Sequence, residues 1–237
     1  MIKTNGALRI RLADMLFTGF IWNFLFATAT YYAKWAYCTD LTTGAVDTAK
    51  LGTFTMVSSL LMFFPLIIGT LVASPIMKAI GSPIRFHRIL ILLEFVPGGI
   101  LFVLQMVGLL QSLPAVYLLC MGVCACAIGM DYIPGEVINI EAMDYEIYKN
   151  GKDRSALCNA ANKFLGKAQS AVASGLVGVI LVAVGYEVDS ATDTFLGELS
   201  SIPVMLDWFI VIMGLIPFFL GCLLYTSPSP RDAHESR

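Results

Sequence analysis

The residue types best placed to do chemistry lie in one apolar stretch, ALCNAANKFLGKAQSAVASGLVGVILVAVGY. Two lysines stand in it four residues apart. On a helix begun near Ala156, Lys163 lies about 10 Å in and Lys167 about 17 Å in, at 1.5 Å per residue. Lys163 is within snorkelling reach of an interface, but a stem of about 6 Å does not carry Lys167 out of the middle of a bilayer. An ammonium at that depth calls for a water-filled cavity or a carboxylate partner. Asn159, Asn162, Lys163, Gly166 and Lys167 recur at spacings of three and four, which gathers them into one polar stripe. Such a stripe on a spanning helix means either a lined pathway or polar helix packing. Ser170, Ser174 and Gly178 follow at four-residue intervals, a pattern that permits close helix approach.

Other polar groups interrupt the apolar runs. Asp131, Tyr132, Pro134, Gly135, Glu136 and Asn139 break the fourth run, where Pro134 is expected to open the helix. Glu94 and Pro97-Gly98-Gly99 form a similar interruption in the third, and Asn23 sits among aromatics in the first. Lys34 and Tyr37 read as anchors at a membrane interface. Cys120, Cys124 and Cys126 lack partners at metal-ligand spacing and read as packing residues. His87 falls in a basic connection and offers no metal site. No phosphate-binding loop, nucleophile elbow or intramembrane protease pair is found, so the reading is of a protein that is not an enzyme, with no cofactor and no nucleic-acid partner.

The elements that must position these groups follow from composition. The 237 residues are 57% hydrophobic and 14% charged, with a mean hydropathy of +0.77. Soluble domains carry about 25% charged residues, so too little polar surface remains here to cover a globule. A water-soluble enzyme, a disordered tail and a disulfide scaffold are excluded. Six segments are long enough to cross a bilayer: approximately Leu12–Tyr37, Thr53–Met77, Ile89–Leu110, Leu113–Ile138, Ala156–Tyr186 and Ile202–Gly221. None alternates in polarity as a barrel strand would, so the fold class is all-α. Lys3, Arg9, Arg11, Lys78, Arg85, Arg88, Lys149, Lys152 and Arg154 flank the segments on one side, against Lys50 alone on the other. The positive-inside rule then puts both ends in the cytoplasm.

The connection EAMDYEIYKNGKDRSALCNAANKFLGKAQSA, together with WNFLFATATYYAKWAYCTD in the first span, resembles the glycoside–pentoside–hexuronide:cation symporter family of the major facilitator superfamily, typified by melibiose permease. The residues carrying the likeness are Glu141, Asp144, Tyr145, Tyr148, Lys149, Gly151 and Lys167, with Asn23 and the paired Tyr31-Tyr32. Departures are Glu146-Ile147 after the Asp-Tyr pair, Asp153 where the family has Arg (Arg154 is displaced by one), and Asn162-Lys163 for Gln-Thr.

The resemblance covers the C-terminal six helices of such a transporter. It implies one half of a major facilitator fold in the plasma membrane, for cation-coupled (Na⁺ or H⁺) symport of a sugar or glycoside. It further implies a substrate site at Tyr132, Asn162, Lys163, Gly166, Lys167 and Asn23, and a cytoplasmic gate at Glu141, Asp144, Tyr148, Lys149 and Arg154. The coupling cation is expected on the missing N-terminal six helices, without which this half does not transport. Two other readings stay open: a half-size sensor or scaffold that does not transport, and a half-transporter that dimerises. Cys222 to Asp232, CLLYTSPSPRD, resembles a translated sequencing adapter, so residues 222–237 are set apart as a non-native tail and 1–221 as the six-helix unit.

Overall fold

The computed structural model describes residues 6–151, 153, 155–190 and 192–226, with side chains described outside 6–11, 142, 146, 149–150, 158 and 223–226. Its helices are α1 (Gly6–Tyr37), α2 (Thr48–Ile80), α3 (Pro83–Met106), α4 (Pro114–Asn150), α5 (Ser155–Ala183), α6 (Ser201–Ile210) and α7 (Ile216–Thr226). A π-helical turn, Val211–Leu215, joins α6 to α7, so the pair makes one span. Six spans long and apolar enough to cross a membrane result, and no strand forms among the described residues. The chain is an all-helical, multi-pass membrane protein.

Local chemistry explains the ends of the helices. Asp47 precedes α2 and accepts the Lys50 backbone N–H, while Gly81, at φ 74°, closes it in the left-handed region. Ser82 and Pro83 start α3 two residues later. Gly151, at φ 65°, ends α4, and the Ser155 N–H donates to Asp153 as α5 begins. These stops place the α2–α3 and α4–α5 connections on one face of the bundle, here the basic face. The other three connections form the acidic face.

Helix α4 packs between α2 and α3, α3 packs on the α6–α7 span, and α1 lies between that span and α5. On the acidic face the α1–α2 and α5–α6 connections interlock. The Phe195 N–H donates to the Gly44 carbonyl, and Lys34 pairs with Asp193 at 2.6 Å while lying over the Trp35 ring. Tyr37 is buried, its hydroxyl donating to the Leu110 carbonyl. Both residues therefore make protein contacts instead of the interfacial anchors expected.

Two expected interruptions are absent: α3 and α4 run unbroken through Pro97 and Pro134. A proline removes one helical hydrogen bond, a loss that tight neighbours can contain. Pro97, Gly98 and Pro134 are all buried. The irregular turn lies instead in the last span, where Gly98 and Gly214 meet backbone to backbone; a Cβ on Gly98 would stand 3.1 Å from the Gly214 Cα. The Ser170–Ser174–Gly178 row is exposed, and α5 reaches its neighbours through Gln169, Ala173, Val177 and Ile180. The last helix continues through Thr226, past the boundary drawn at Gly221.

Candidate functional site

A cavity of about 530 Å³ opens among α1, α2, α4 and α5, within the range of small-molecule sites. Helix α1 contributes Thr18, Gly19, Trp22 and Asn23; α2 contributes Leu66 and Thr70; α4 contributes Asp131, Tyr132, Gly135 and Glu136; α5 contributes Asn162, Gly166 and Gln169. Among the described residues its lining holds two carboxylates and no basic side chain. Tyr132 is 66% exposed and presents its ring at the rim.

Helix packing fixes these groups. The Gln169 amide donates to the Met15 and Leu16 carbonyls at 3.0 and 2.7 Å, lodged against Gly19, where any side chain would collide with it. That clamp sets the rotation of α5 about its axis. Asn162 then reaches towards Asn139 of α4 at 3.5 Å and keeps a buried Oδ1 with no partner. Asn23 folds back on the Gly19 carbonyl at 2.7 Å, leaving its amide oxygen for the cavity side. The Thr70 hydroxyl ties α2 to the Gly129 carbonyl of α4 at 3.0 Å.

The cavity thus brings together Asn23, Tyr132, Asn162 and Gly166 of the residues singled out from sequence. It does not include the lysines. Lys163 and Lys167 are exposed on α5 and line no part of it. One residue on an α-helix is a turn of about 100°, so the row of Asn162 and Gly166 lines the cavity while the neighbouring row of Lys163 and Lys167 faces outward. The single polar stripe read from spacing is two rows with different surroundings.

Of the gate residues, Glu141, Asp144 and Tyr148 stand exposed on the C-terminal end of α4. Glu141 and Asp144 enter no ion pair among the described residues. Lys149 lies in α4 with its side chain outside the described set, and Arg154 lies outside the described residues.

The feature that sequence reasoning missed is His87. It occupies the second turn of α3, not a connection, and is 6% exposed. Pro83 and the Ser82 cap begin the helix early enough to draw it inside, although Arg85 and Arg88 made the segment read as a loop. Its Nδ1 meets Asp131 of α4 and its Nε2 meets Asp14 of α1 at 3.0 Å. Seven residues along α3, Glu94 is 2% exposed with neither carboxyl oxygen hydrogen-bonded. The partners of His87 lie 73 and 44 residues away, so no local motif could have announced them. No group of three or more His, Cys, Asp or Glu suited to a metal ion occurs among the described residues.

A family model described as MFS/sugar transport protein matches residues 4–225. No curated protein and no solved structure gives a match.

Proposed function

The chain belongs to the MFS/sugar transport protein family, and on that premise we propose that it is the C-terminal six-helix part of a cation-coupled sugar or glycoside symporter. In this reading it sits in the plasma membrane with both ends cytoplasmic. A second six-helix bundle completes the substrate site and rocks against this one to alternate access. Bound alone, one wall of a site does not make a transport cycle.

The observation that carries the reading is the cavity wall. Among the described residues, two carboxylates, two asparagine amides, two threonine hydroxyls and an accessible tyrosine ring line it, with no basic side chain. Carboxylates and amides pair with hydroxyl groups, and a ring stacks on the apolar face of a pyranose. The acidic lining disfavours anionic sugars, so the substrate proposed is neutral. The exposed row on α5, Lys163, Lys167, Ser170, Ser174 and Gly178, adds support. Lipid is a poor neighbour for two ammonium groups, whereas a facing bundle across a wet crevice accommodates them. The lysines are accordingly proposed to meet substrate, or carboxylates of the second bundle, when the two bundles close.

The test is uptake of labelled sugars by vesicles holding the complete transporter, with and without an imposed Na⁺ or pH gradient. Uptake driven by one of these gradients is expected. Lys167→Ala should abolish driven uptake while leaving membrane insertion and thermal stability unchanged within about 0.5 kcal/mol, as suits an exposed side chain. Undiminished uptake in that variant would remove the lysine from the site, and absence of any sugar uptake would overturn the transporter reading.

A further inference from the structure

We propose that Asp14, His87 and Asp131 form a proton-binding site in this bundle, with Glu94 as a second station deeper along α3 and Asp131 as the link to the cavity. Any cation site on a partner bundle would be additional to it.

The argument starts from the donor count of imidazole. A neutral ring has one N–H and one lone pair; only the protonated ring donates from both nitrogens. Both nitrogens of His87 meet carboxylate oxygens, from α4 and from α1. With a neutral ring and two carboxylates, one of these contacts would set lone pair against lone pair in a buried place. The arrangement is satisfied when one further proton is present, as an imidazolium between two carboxylates. Its opposed geometry also separates it from a metal site, where ligand atoms converge on one point.

Glu94 is the second, independent observation. Its carboxyl is buried and unpartnered two turns from His87, about 10 Å along the helix. Register across the helix pair explains the alignment: Cys124, seven residues before Asp131, donates its thiol to the Glu94 carbonyl at 3.2 Å. A carboxylate without donors is costly there, and a carboxylic acid is far less so. Among the described residues, the groups facing this row are Asp14 from α1, Asp131 and Cys124 from α4, and Cys222 from α7. Helix α2 presents the apolar Ala73, Met77 and Ile80, and Arg88 adjoins His87 on α3, half-buried.

Asp131 belongs to both the site and the cavity lining. With the proton in place, Oδ1 of Asp131 accepts from Nδ1–H, leaving the other oxygen for a ligand hydroxyl. On deprotonation the Nδ1 proton passes to cavity water, the ring keeps Nε2–H on Asp14, and Oδ1 faces a lone pair. Asp131 then loses its fixed position. Proton and hydroxyl-bearing ligand therefore favour each other, the sign that symport needs. This linkage rests on the cavity being the sugar site; the proton site itself does not.

Two measurements separate these. The chain carrying His234→Ala leaves His87 as the sole histidine of the two, and nitrogen-15 NMR in lipid nanodiscs reads its ring from roughly pH 9 to pH 5. Two N–H groups are expected at neutral pH, reduced to one in both Asp14→Asn and Asp131→Asn. A bare ring nitrogen persisting at pH 5 in the parent chain would overturn the proposal. In the complete transporter, at the alkaline pH where the ring has begun to lose its second N–H, adding glucose, galactose or their methyl glycosides in weak buffer should draw protons from solution. His87→Gln should cut that uptake at least about tenfold. A doubly protonated ring with no sugar-dependent proton uptake would keep the proton site and overturn its link to the cavity.

Discussion

Helix α3 carries a buried polar network towards each end, and the two are built on opposite terms. Towards the acidic face, the Tyr32 hydroxyl donates to Gln105 Oε1 at 2.7 Å, and Gln105 Nε2 donates to Asp207 at 2.7 Å. Tyr32 stacks on Tyr117 and meets Tyr37 edge-on, and the Tyr117 hydroxyl donates to the Ala29 carbonyl. Each of these hydroxyl and amide groups has a partner, and aromatic rings fix its place. Towards the basic face, the His87 cluster and Glu94 leave two carboxyl oxygens unpartnered, and the cluster opens through Asp131 onto a cavity. A satisfied network rigidifies, whereas one short of a proton changes with what it binds. The comparison assigns α3 an anchored end and a responsive end.

The sharpest way to break that distinction is His87→Leu, which takes the shared imidazole away from two carboxylates. It should cost about 3–5 kcal/mol at neutral pH, read as thermal unfolding in detergent, and the penalty should shrink in acid as the carboxyls gain protons. A penalty independent of pH would make both ends alike. Next in size, Tyr32→Phe leaves the Gln105 carbonyl without its donor and should cost about 1–3 kcal/mol at every pH. Sugar uptake per folded molecule should stay unchanged. Glu94→Gln sharpens the contrast from the other side. Stability should change by no more than about 1 kcal/mol, while gradient-driven uptake by the complete transporter should fall about tenfold.

The smallest effect serves as a control outside the membrane. The Ser155 backbone N–H, and then its hydroxyl, hold the Asp153 carboxyl below the usual carboxylate range. A carboxyl lowered by folding contributes stability above its unfolded pKa and loses it as pH falls through the lowered value. Asp153→Ala should therefore speed hydrogen exchange in the first turn of α5 at neutral pH and make no difference in strong acid.

What could be read from sequence was what runs along a helix. Apolar length fixed the six spans to within a few residues, apart from extensions such as Thr48 at the start of α2 and Asn150 at the end of α4. Four-residue spacing correctly put Asn162 beside Gly166. It could not decide whether that row or the row of Lys163 and Lys167 turned inward, because Gly19 on another helix makes the choice by admitting Gln169. Gln169 stands seven residues after Asn162 on the same face, a signal that spacing offered and the lysines overshadowed. His87 was hidden more thoroughly. Two neighbouring arginines gave it the look of a surface connection, and its partners come from helices before and after it in the chain. Proline was overweighted as a helix breaker because its cost depends on neighbours that sequence does not display.

The wide turn at Val211–Leu215 has a consequence for everything after it. A π turn holds about one residue more than an α turn, so α7 is rotated by about 100° from the azimuth that an unbroken α6 would give it. That offset brings Phe218 edge-on to Phe95 and over Gly99, and seats Gly221 against Phe95. One surplus residue thus aims the end of the last span at α3, where a regular spiral would have turned Phe218 away from Phe95.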